Sequence, residues 1–356
     1  MIARRAFLGS LLAAAGTPRL SWADVGSPAW LGAARDADGF YVLLGLARDG
    51  AERFRIALPT RGHAAAAHPT APEAVAFARR PGTFALVVNC LTGEVTHRLQ
   101  SPEGRHFYGH GAFIANGDIL CTTENEIETG AGRIGLWSRK RGYARIGEIA
   151  SHGTGPHEIL STAGDVLVVA NGGIRTHPDQ GREKLNIPEM RPSLAYIAPD
   201  GALLEEVVLD PELHMNSIRH LAQAPDGTVG FAMQWQGESS DPVPLLGLHE
   251  RGKEPRLLSA DLGEQLAMQG YAGSVAFSRD GTDIAITSPR GGRVHRFDVA
   301  TGAVQSLARA DVCGIAAGPD GMVATDGLGG LLRLGARPEP IARFEGLSWD
   351  NHLIAL

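Results

Sequence analysis

The sequence has little cysteine and no long hydrophobic run. Its 356 residues include three cysteines, Cys90, Cys121 and Cys313, and no C-x-x-C pair. An odd number without such a pair indicates no disulfide framework, and the missing C-x-x-C-H motif excludes covalently attached c-type haem. The apolar run from Leu8 to Ala15 is too short to span a bilayer. We therefore expect no membrane span in the mature chain.

Local enzyme motifs and excess positive charge are also missing. No G-x-S-x-G elbow, H-E-x-x-H helix, Walker A loop or Rossmann fingerprint occurs in a suitable context. The formal net charge is −6, and it becomes −9 without residues 1–23, which hold three arginines and no acid. A protein this acidic is not expected to bind nucleic acid.

The N-terminus carries the pattern of an export signal. Arg4 and Arg5 precede the short apolar run, and Ser21-Trp22-Ala23 provides an A-x-A-like cleavage site. A membrane anchor is the alternative, which the shortness of the run disfavours. We predict a twin-arginine signal peptide over residues 1–23, a periplasmic location, and a single mature domain over residues 24–356.

The remaining sequence predicts an all-β fold built from repeats. Its 46 glycines and 21 prolines are scattered, which favours many short elements joined by tight turns. An apolar run, a turn and a second β-rich run recur seven times, starting at His63, His110, His157, His220, Ser274, Gly314 and His352. The starts lie 38 to 63 residues apart, near the period of four-stranded propeller blades.

The final repeat, "HLIAL", is truncated, and the N-terminal "WLGAARDADGFYVLLGLA" supplies the missing strands. The two chain ends would then share one sheet, which closes the ring and removes exposed edges. We predict a seven-bladed β-propeller closed by pairing of the N- and C-terminal segments. In each blade the strand before the turn is expected to be innermost, with the repeat start as its first residue. Residues 172–193 form a long loop that could cover the channel mouth.

Five of the seven repeat starts are histidine: His63, His110, His157, His220 and His352. Equivalent positions of radially arranged blades surround the central axis, so these imidazoles should converge. Neutral imidazole is a common ligand of Zn, Cu, Fe and Ni. We predict a transition-metal site, with two alternatives left open: architectural histidines that bond between blades, and an organic or anionic ligand.

Further polar groups are expected on the same face. Asn171, Arg175, His177 and Arg290 are the candidate cofactor-binding residues, and Arg175, Arg219 and Arg290 could hold an anion. Other candidates for supporting hydrogen bonds are Glu124, Asn125, Glu126, His152, His214, Gln234, Gln236 and Asp326. His97, His249 and His295 fall outside the repeat register and are expected on the surface or bonded locally. Cys313, next to the Gly314 position, is expected to be a buried small residue rather than a thiolate ligand.

Several long motifs resemble one known family. They are the twin-arginine segment, "GHGAFIANGDILCTTENE", "SHGTGPHE", "VVANGGIRTHPDQGREKLN", "MRPSLAYI", "LHMNSIRHLA" and "TSPRGGRV". They are similar to a bacterial domain-of-unknown-function family of exported propeller proteins, often encoded beside imelysin-type iron-regulated proteins and di-haem peroxidase-like proteins. The resemblance implies a role in periplasmic iron or copper handling, with those iron-uptake proteins as partners.

Three functions are consistent with these patterns. The first is a monomeric periplasmic propeller that binds iron or copper, with zinc as a further option, for uptake, delivery or sensing. The second is a metal-dependent enzyme, an oxidoreductase or hydrolase, that uses the same site. The third is a protein-interaction propeller without metal. The propeller fold by itself does not choose among them.

Overall fold

The computed structural model describes residues 20–78, 83–181 and 183–356. Residues 1–19 of the predicted signal peptide lie outside the described residues. Nothing in the structure tests export or cleavage after Ala23, so both stay predictions. None of the described helices is long and apolar enough to cross a membrane.

The chain forms seven four-stranded antiparallel sheets, which confirms the predicted seven-bladed β-propeller. From the axis outward, blade 1 contains β28 (Ser348–Ala355), β1 (Trp30–Arg35), β2 (Tyr41–Leu46) and β3 (Glu52–Leu58). Blade 2 contains β4 (Gly62–Ala67), β5 (Glu73–Ala78), β6 (Phe84–Asn89) and β7 (Glu94–Gln100). Blade 3 contains β8 (Arg105–Ile114), β9 (Ile119–Glu126), β10 (Ala131–Ser138) and β11 (Ala144–Thr154). Blade 4 contains β12 (Pro156–Ser161), β13 (Leu167–Asn171), β14 (Ser193–Ile197) and β15 (Leu203–Val208).

The other three blades follow the same order. Blade 5 contains β16 (Asn216–Gln223), β17 (Val229–Trp235), β18 (Leu246–His249) and β19 (Arg256–Leu258). Blade 6 contains β20 (Ser274–Phe277), β21 (Asp283–Ser288), β22 (Arg293–Asp298) and β23 (Val304–Ala308). Blade 7 contains β24 (Val312–Gly318), β25 (Gly321–Asp326), β26 (Gly330–Leu334) and β27 (Pro338–Arg343). In the described part of the chain the one α-helix, α1 (Leu262–Ala267), joins blades 5 and 6.

The two ends of the propeller pair as the sequence predicts. Strand β28 pairs antiparallel with β1, from Trp30 opposite Ala355 to Arg35 opposite Ser348. The N-terminal segment therefore supplies the three outer strands of blade 1 and the C-terminal segment its innermost strand. Blade 1 therefore has the same four-stranded order as the other blades, and the pairing of the two chain ends closes the ring.

The core lies between neighbouring blades. Buried apolar side chains form seven clusters, one at each blade interface. Strand β5 shows why, because Ala74 and Ala76 pack toward blade 1 while Val75 and Phe77 pack toward blade 3. Alternation along a strand thus gives each sheet two buried faces. The innermost strands are left to line the axis.

Candidate metal centre

The five predicted histidines meet on the axis. They come from five consecutive blades, in the order His352, His63, His110, His157 and His220. Successive ring centroids lie 4.6, 4.9, 5.0 and 4.8 Å apart, and His220 closes the circuit to His352 at 4.9 Å. Every one of these side chains is buried. We call this group, together with Glu158, the axial cluster.

Irregularities in the innermost strands aim these side chains at the axis. His63, His110, His157 and His352 all lie where the pairing with the second strand shifts register. In β16 the extra residue is Arg219, directly before His220. Such β-bulges insert an unpaired residue and redirect side chains.

The prediction that each histidine is the first residue of its strand is wrong. His63 and His157 are the second residues of β4 and β12. His110 is the sixth residue of β8, and His220 and His352 are the fifth residues of their strands. The strands begin earlier because pairing resumes upstream of each irregularity. The position of each cluster histidine is therefore set by a β-bulge and not by the start of a strand.

Two blades contribute no imidazole, for local reasons. At Gly314 in β24, a Cβ atom would lie 2.8 Å from the backbone nitrogen of Leu353, so the neighbouring inner strand leaves no space for a side chain. In β20, which pairs without a register shift, the Ser274 hydroxyl accepts a hydrogen bond from the Ile315 N–H at 3.2 Å. The imidazoles of the cluster therefore come from five consecutive blades, on one side of the propeller axis.

Glu158 adds a carboxylate to the imidazoles. Its Oε2 lies 3.1 Å from Nδ1 of His220, and its Oε1 lies 3.7 Å from Nδ1 of His110. The Leu221 N–H donates to the same carboxylate at 3.2 Å. Glu158 follows His157 directly in β12, and both reach the channel because the register shift falls between Pro156 and Glu158.

Electrostatics favour the neutral form of the imidazoles. Burial lowers the pKa of His220 to about 3, and the charge of Arg219 contributes. Burial, neighbouring histidines and Arg219 hold the pKa values of His110 and His157 well below the usual range. These rings therefore keep lone pairs for a metal ion at neutral pH. Burial raises the pKa of Glu158 to about 7, although His352 and the Leu221 N–H oppose the shift.

The geometry fits a cation. One ligand atom each from His110, Glu158, His220 and His352 lies within 4.8 Å of the others, and His63, His110 and His157 form a second such group. Two ligands on opposite sides of a metal with bonds of about 2.1 Å stand about 4.2 Å apart, so small side-chain movements would complete the site. Nε2 of His110, Nδ1 of His157 and Nε2 of His220 are buried without a hydrogen-bond partner among the described residues.

The cluster separates two cavities along the axis. We call the first, of about 230 Å³, the vestibule; its lining residues are His63, Tyr108, His157, Lys184, Arg219, His220, Gln234, Trp235, Gln236, Tyr271, Arg290 and Asn351. We call the second, of about 360 Å³, the lower channel; its lining includes His110, Glu158, His220, His352 and small apolar residues such as Ala65, Ala66 and Ala112. His220 is common to both linings.

The candidate cofactor-binding residues separate into two groups. Arg290 lines the vestibule, as does Arg219. Asn171 is fully buried, with its amide bonded to Ser151. Arg175 donates to the Glu128 carbonyl oxygen, and His177 Nδ1 accepts from the Asp179 N–H. In the described structure these three residues are therefore outside the vestibule lining. Asn171, at the end of β13, bonds to blade 3, and the loop after β13 turns Arg175 toward blade 3 and His177 back onto the loop itself.

The remaining polar candidates are divided in the same way. Gln234 and Gln236 line the vestibule. The others are bonded elsewhere: Glu124 to Arg145, Asn125 to His106, Glu126 to Arg105, Asp326 to Arg309, His152 to the Gly201 carbonyl and His214 to the Pro211 carbonyl.

The histidines outside the register lie in outer strands. His97 is 3.1 Å from the hydroxyl of the adjacent Thr96, which is a local contact. His249 is neither on the surface nor bonded locally, because it is buried and lies 2.7 Å from the hydroxyl of Tyr196 in blade 4. His295 is fully buried, with Nε2 3.8 Å from the Glu264 carboxylate.

The cysteines are buried and free. Burial raises the pKa values of Cys90 and Cys121 to about 12 and raises that of Cys313 as well. The Cys313 thiol donates to the Asp311 carbonyl oxygen at 3.0 Å. It therefore has the environment of a buried small residue.

Sequence reasoning missed Glu158 and Lys184. Glu158 is the one acidic residue that directly follows a repeat histidine, in "GPHE", and this signal could have identified it. Lys184 lies in the long loop after β13, where no periodicity marks its position. It is the loop residue that lines the vestibule among those described, with its Nζ 2.6 Å from Oε1 of Gln236.

These features define a seven-bladed β-propeller whose channel is interrupted by a buried histidine–glutamate cluster. The chain belongs to the family described as "Protein of unknown function (DUF1513)", which matches residues 56–356. No curated protein matches it in sequence. Among solved structures it is similar to Kuenenia stuttgartiensis hydrazine synthase, with a TM-score of 0.61 and 15% identity over 88% of this chain and 95% of that chain. At that identity the likeness shows the fold alone.

Proposed function

We propose that this protein binds a transition-metal ion in the axial cluster, for uptake, delivery or sensing of the metal. The convergence of His110, Glu158, His220 and His352 from four blades, with ligand atoms within 4.8 Å, carries the proposal. Histidines far apart in sequence have no need to meet in order to build a blade, since each blade closes through its own strands.

The unsatisfied ring nitrogens favour a metal over a purely architectural role. His110, His157 and His220 each keep one buried ring nitrogen without a hydrogen-bond partner among the described atoms, and their rings converge at the axis, with successive centroids 5.0 and 4.8 Å apart. A buried polar atom left unpaired costs about 1–3 kcal/mol. A bound cation would recover this cost by taking the lone pairs.

The donor set limits the choice of metal. Imidazole nitrogens with one carboxylate suit iron, copper and zinc, whereas calcium and magnesium prefer all-oxygen sites. We rank iron and copper ahead of zinc because the sequence resembles exported proteins encoded beside iron-regulated ones.

The proposal includes a location and partners. The twin-arginine segment supports export to the periplasm, and the family resemblance supports imelysin-type or di-haem peroxidase-like iron-uptake proteins as partners of a monomer. Replacing Arg4 and Arg5 by Lys should leave the precursor in the cytoplasm, as measured by cell fractionation. Normal export of that variant would refute export by the twin-arginine pathway.

Metal analysis tests the binding site. Protein purified from the periplasm without a histidine tag should contain about one iron or copper ion per chain, or should bind one after chelation and reloading. The His110→Ala/His157→Ala variant should lose the ion, while His97→Ala, outside the cluster, should keep it. Unchanged circular dichroism would show that the propeller remains folded. Stoichiometric metal in the double variant would contradict the assignment, and a wild type that binds no metal would favour the interaction propeller.

A metal-dependent oxidoreductase or hydrolase is the second candidate, favoured by the vestibule beside His63, His157 and His220. An enzyme needs an open coordination position for substrate or water. A spectral shift of the metal-loaded protein on addition of azide would indicate such a position. A spectrum that azide does not change would favour binding and delivery.

A further inference from the structure

The vestibule concentrates positive charge above the axial cluster. Lys184, Arg219 and Arg290 line it, and they come from the loop after β13, from β16 and from the loop after β21. No carboxylate is among its described lining residues. The chain as a whole has a formal net charge of −6, so the cationic lining is a local feature and does not follow from the overall composition.

Neutral hydrogen-bonding groups lie beside Arg290 in the vestibule. Arg290 lies over the Tyr271 ring, 4.3 Å from its centroid, and the Tyr271 hydroxyl accepts from the Asn351 amide at 3.2 Å. An aromatic ring holds a guanidinium in place without neutralising its charge. Arg290 thus keeps its donors for a ligand, in a fork geometry that matches carboxylate or phosphate oxygens.

Arg219 brings the second guanidinium to the inner end of the cavity. It is the extra residue of the β16 bulge and is only partly exposed. It lines the vestibule together with His157 and His220, so its guanidinium lies beside the cluster. An anion beside Arg219 would offset repulsion between this guanidinium and a metal ion in the cluster.

The size of the vestibule limits its ligand. A volume of about 230 Å³ corresponds to roughly seven or eight water molecules at about 30 Å³ each. This accommodates a phosphate ion or a small di- or tricarboxylate, whereas a peptide or a nucleotide would extend beyond the cavity.

We propose that the vestibule is a binding site for a small oxyanion, of the carboxylate or phosphate type, held by Arg219, Arg290 and Lys184. The anion site does not depend on the metal. The anion is taken up together with the metal ion, and its oxygens face the cluster. This second part of the inference rests on the proposed function.

Calorimetric titration of the tag-free, metal-free protein tests the site. Citrate and inorganic phosphate are titrated separately, so that the two arms distinguish the carboxylate from the phosphate type. Arg219→Gln and Arg290→Gln should each weaken binding of the preferred anion by about tenfold or more, because each removes a charge-assisted contact. Arg98→Gln is the matched control, since Arg98 also lies over an aromatic ring, that of Phe84 at 4.9 Å, but outside the vestibule.

The outcomes separate this inference from the metal proposal. Binding of neither anion to the wild type, or binding that both arginine variants leave unchanged, would overturn the anion site whatever the metal result. Anion binding by a protein that binds no metal would support the site and overturn the metal proposal. Inorganic phosphate or citrate should also bind about tenfold more tightly to metal-loaded protein, since coupling between sites is reciprocal. Equal affinity in both forms would overturn joint uptake.

Discussion

The vestibule and the lower channel lie on opposite sides of the axial cluster and have opposite chemistry. The vestibule is lined by three cationic side chains, hydroxyls and amides, with no carboxylate among the described lining residues. The lower channel is lined mainly by alanine and branched apolar residues, with Glu158 as the carboxylate in its described lining and no lysine or arginine. The cluster is thus a boundary between a polar, positively charged side and an apolar side.

This difference indicates how each side would act on a metal ion. The polar vestibule can solvate an approaching ligand, whereas the apolar lower channel offers an ion little to replace its water. Entry and release are therefore expected through the vestibule, with an accompanying anion that offsets the repulsion between its cationic side chains and the metal ion. Glu158, on the apolar side, supplies the negative charge that would keep a cation in place.

The largest expected effect comes from placing a charge in the lower channel. Ala65 is buried in its wall, so Ala65→Asp should lower the free energy of unfolding by about 3 kcal/mol or more, because the carboxylate gains no cationic partner. Urea denaturation measures the change. Gln236→Asp adds the same residue on the vestibule side near Lys184, and its effect should stay within about 1 kcal/mol. Equal losses in both variants would contradict the contrast between the two cavities.

The next effect concerns the carboxylate itself. Glu158→Gln keeps the shape of the side chain but removes its charge, so metal affinity should fall by about 10- to 100-fold, in the range found for groups that support metal ligands. Competition with a chromophoric chelator measures it. Glu264→Gln is the matched control, because Glu264 also lies beside a buried histidine, His295 at 3.8 Å, in an outer part of the propeller. An unchanged affinity in Glu158→Gln would remove this residue from the site.

A moderate effect is expected at Gly109, on the vestibule side. Its φ is +102°, and a Cβ atom there would lie 2.6 Å from Cδ2 of His63. Gly109→Ala should therefore cost about 1–3 kcal/mol of stability and displace His63 from the cluster. Thermal unfolding and metal titration measure the two consequences. Gly104→Ala, with φ +73° and no atom within 4 Å of the added Cβ, should cost stability through backbone strain but leave metal affinity unchanged. Equal metal affinities in the two glycine variants would show that His63 does not depend on Gly109.

The smallest effect is expected at Cys313, which lies in β24 of blade 7, one of the two blades that contribute no imidazole. Its protonated thiol is bonded to the Asp311 carbonyl, and burial raises its pKa. Because metal ligation requires the thiolate, Cys313→Ser should change metal affinity by less than about twofold. A tenfold loss of metal affinity in Cys313→Ser would indicate that the Cys313 thiolate is a metal ligand.

The sequence allowed the fold and the five histidines to be predicted, because both depend on regular patterns. Turns at similar intervals aligned the repeats, and alignment alone placed His63, His110, His157, His220 and His352 around one axis. The β-bulges could not be predicted, because a register shift depends on pairing between strands and leaves no fixed pattern of residue types.

The surroundings of the cluster depended on those irregularities. Glu158 reaches the channel beside His157 only because the β12 register shifts there, whereas an ideal strand would turn the two side chains to opposite faces. Arg175 and His177 lie in a long loop without periodicity, and the path of such a loop is set by contacts such as that of Arg175 with the Glu128 carbonyl. Sequence patterns contain no information on those contacts.

Anomalous X-ray diffraction from crystals of the metal-loaded protein, measured at the absorption edge of the bound metal, tests the central claim most directly. The account predicts one strong peak on the propeller axis, with imidazole nitrogens and a Glu158 oxygen at about 2.0–2.2 Å. A peak elsewhere on the protein, or none at the axis in crystals that contain stoichiometric metal, would contradict it.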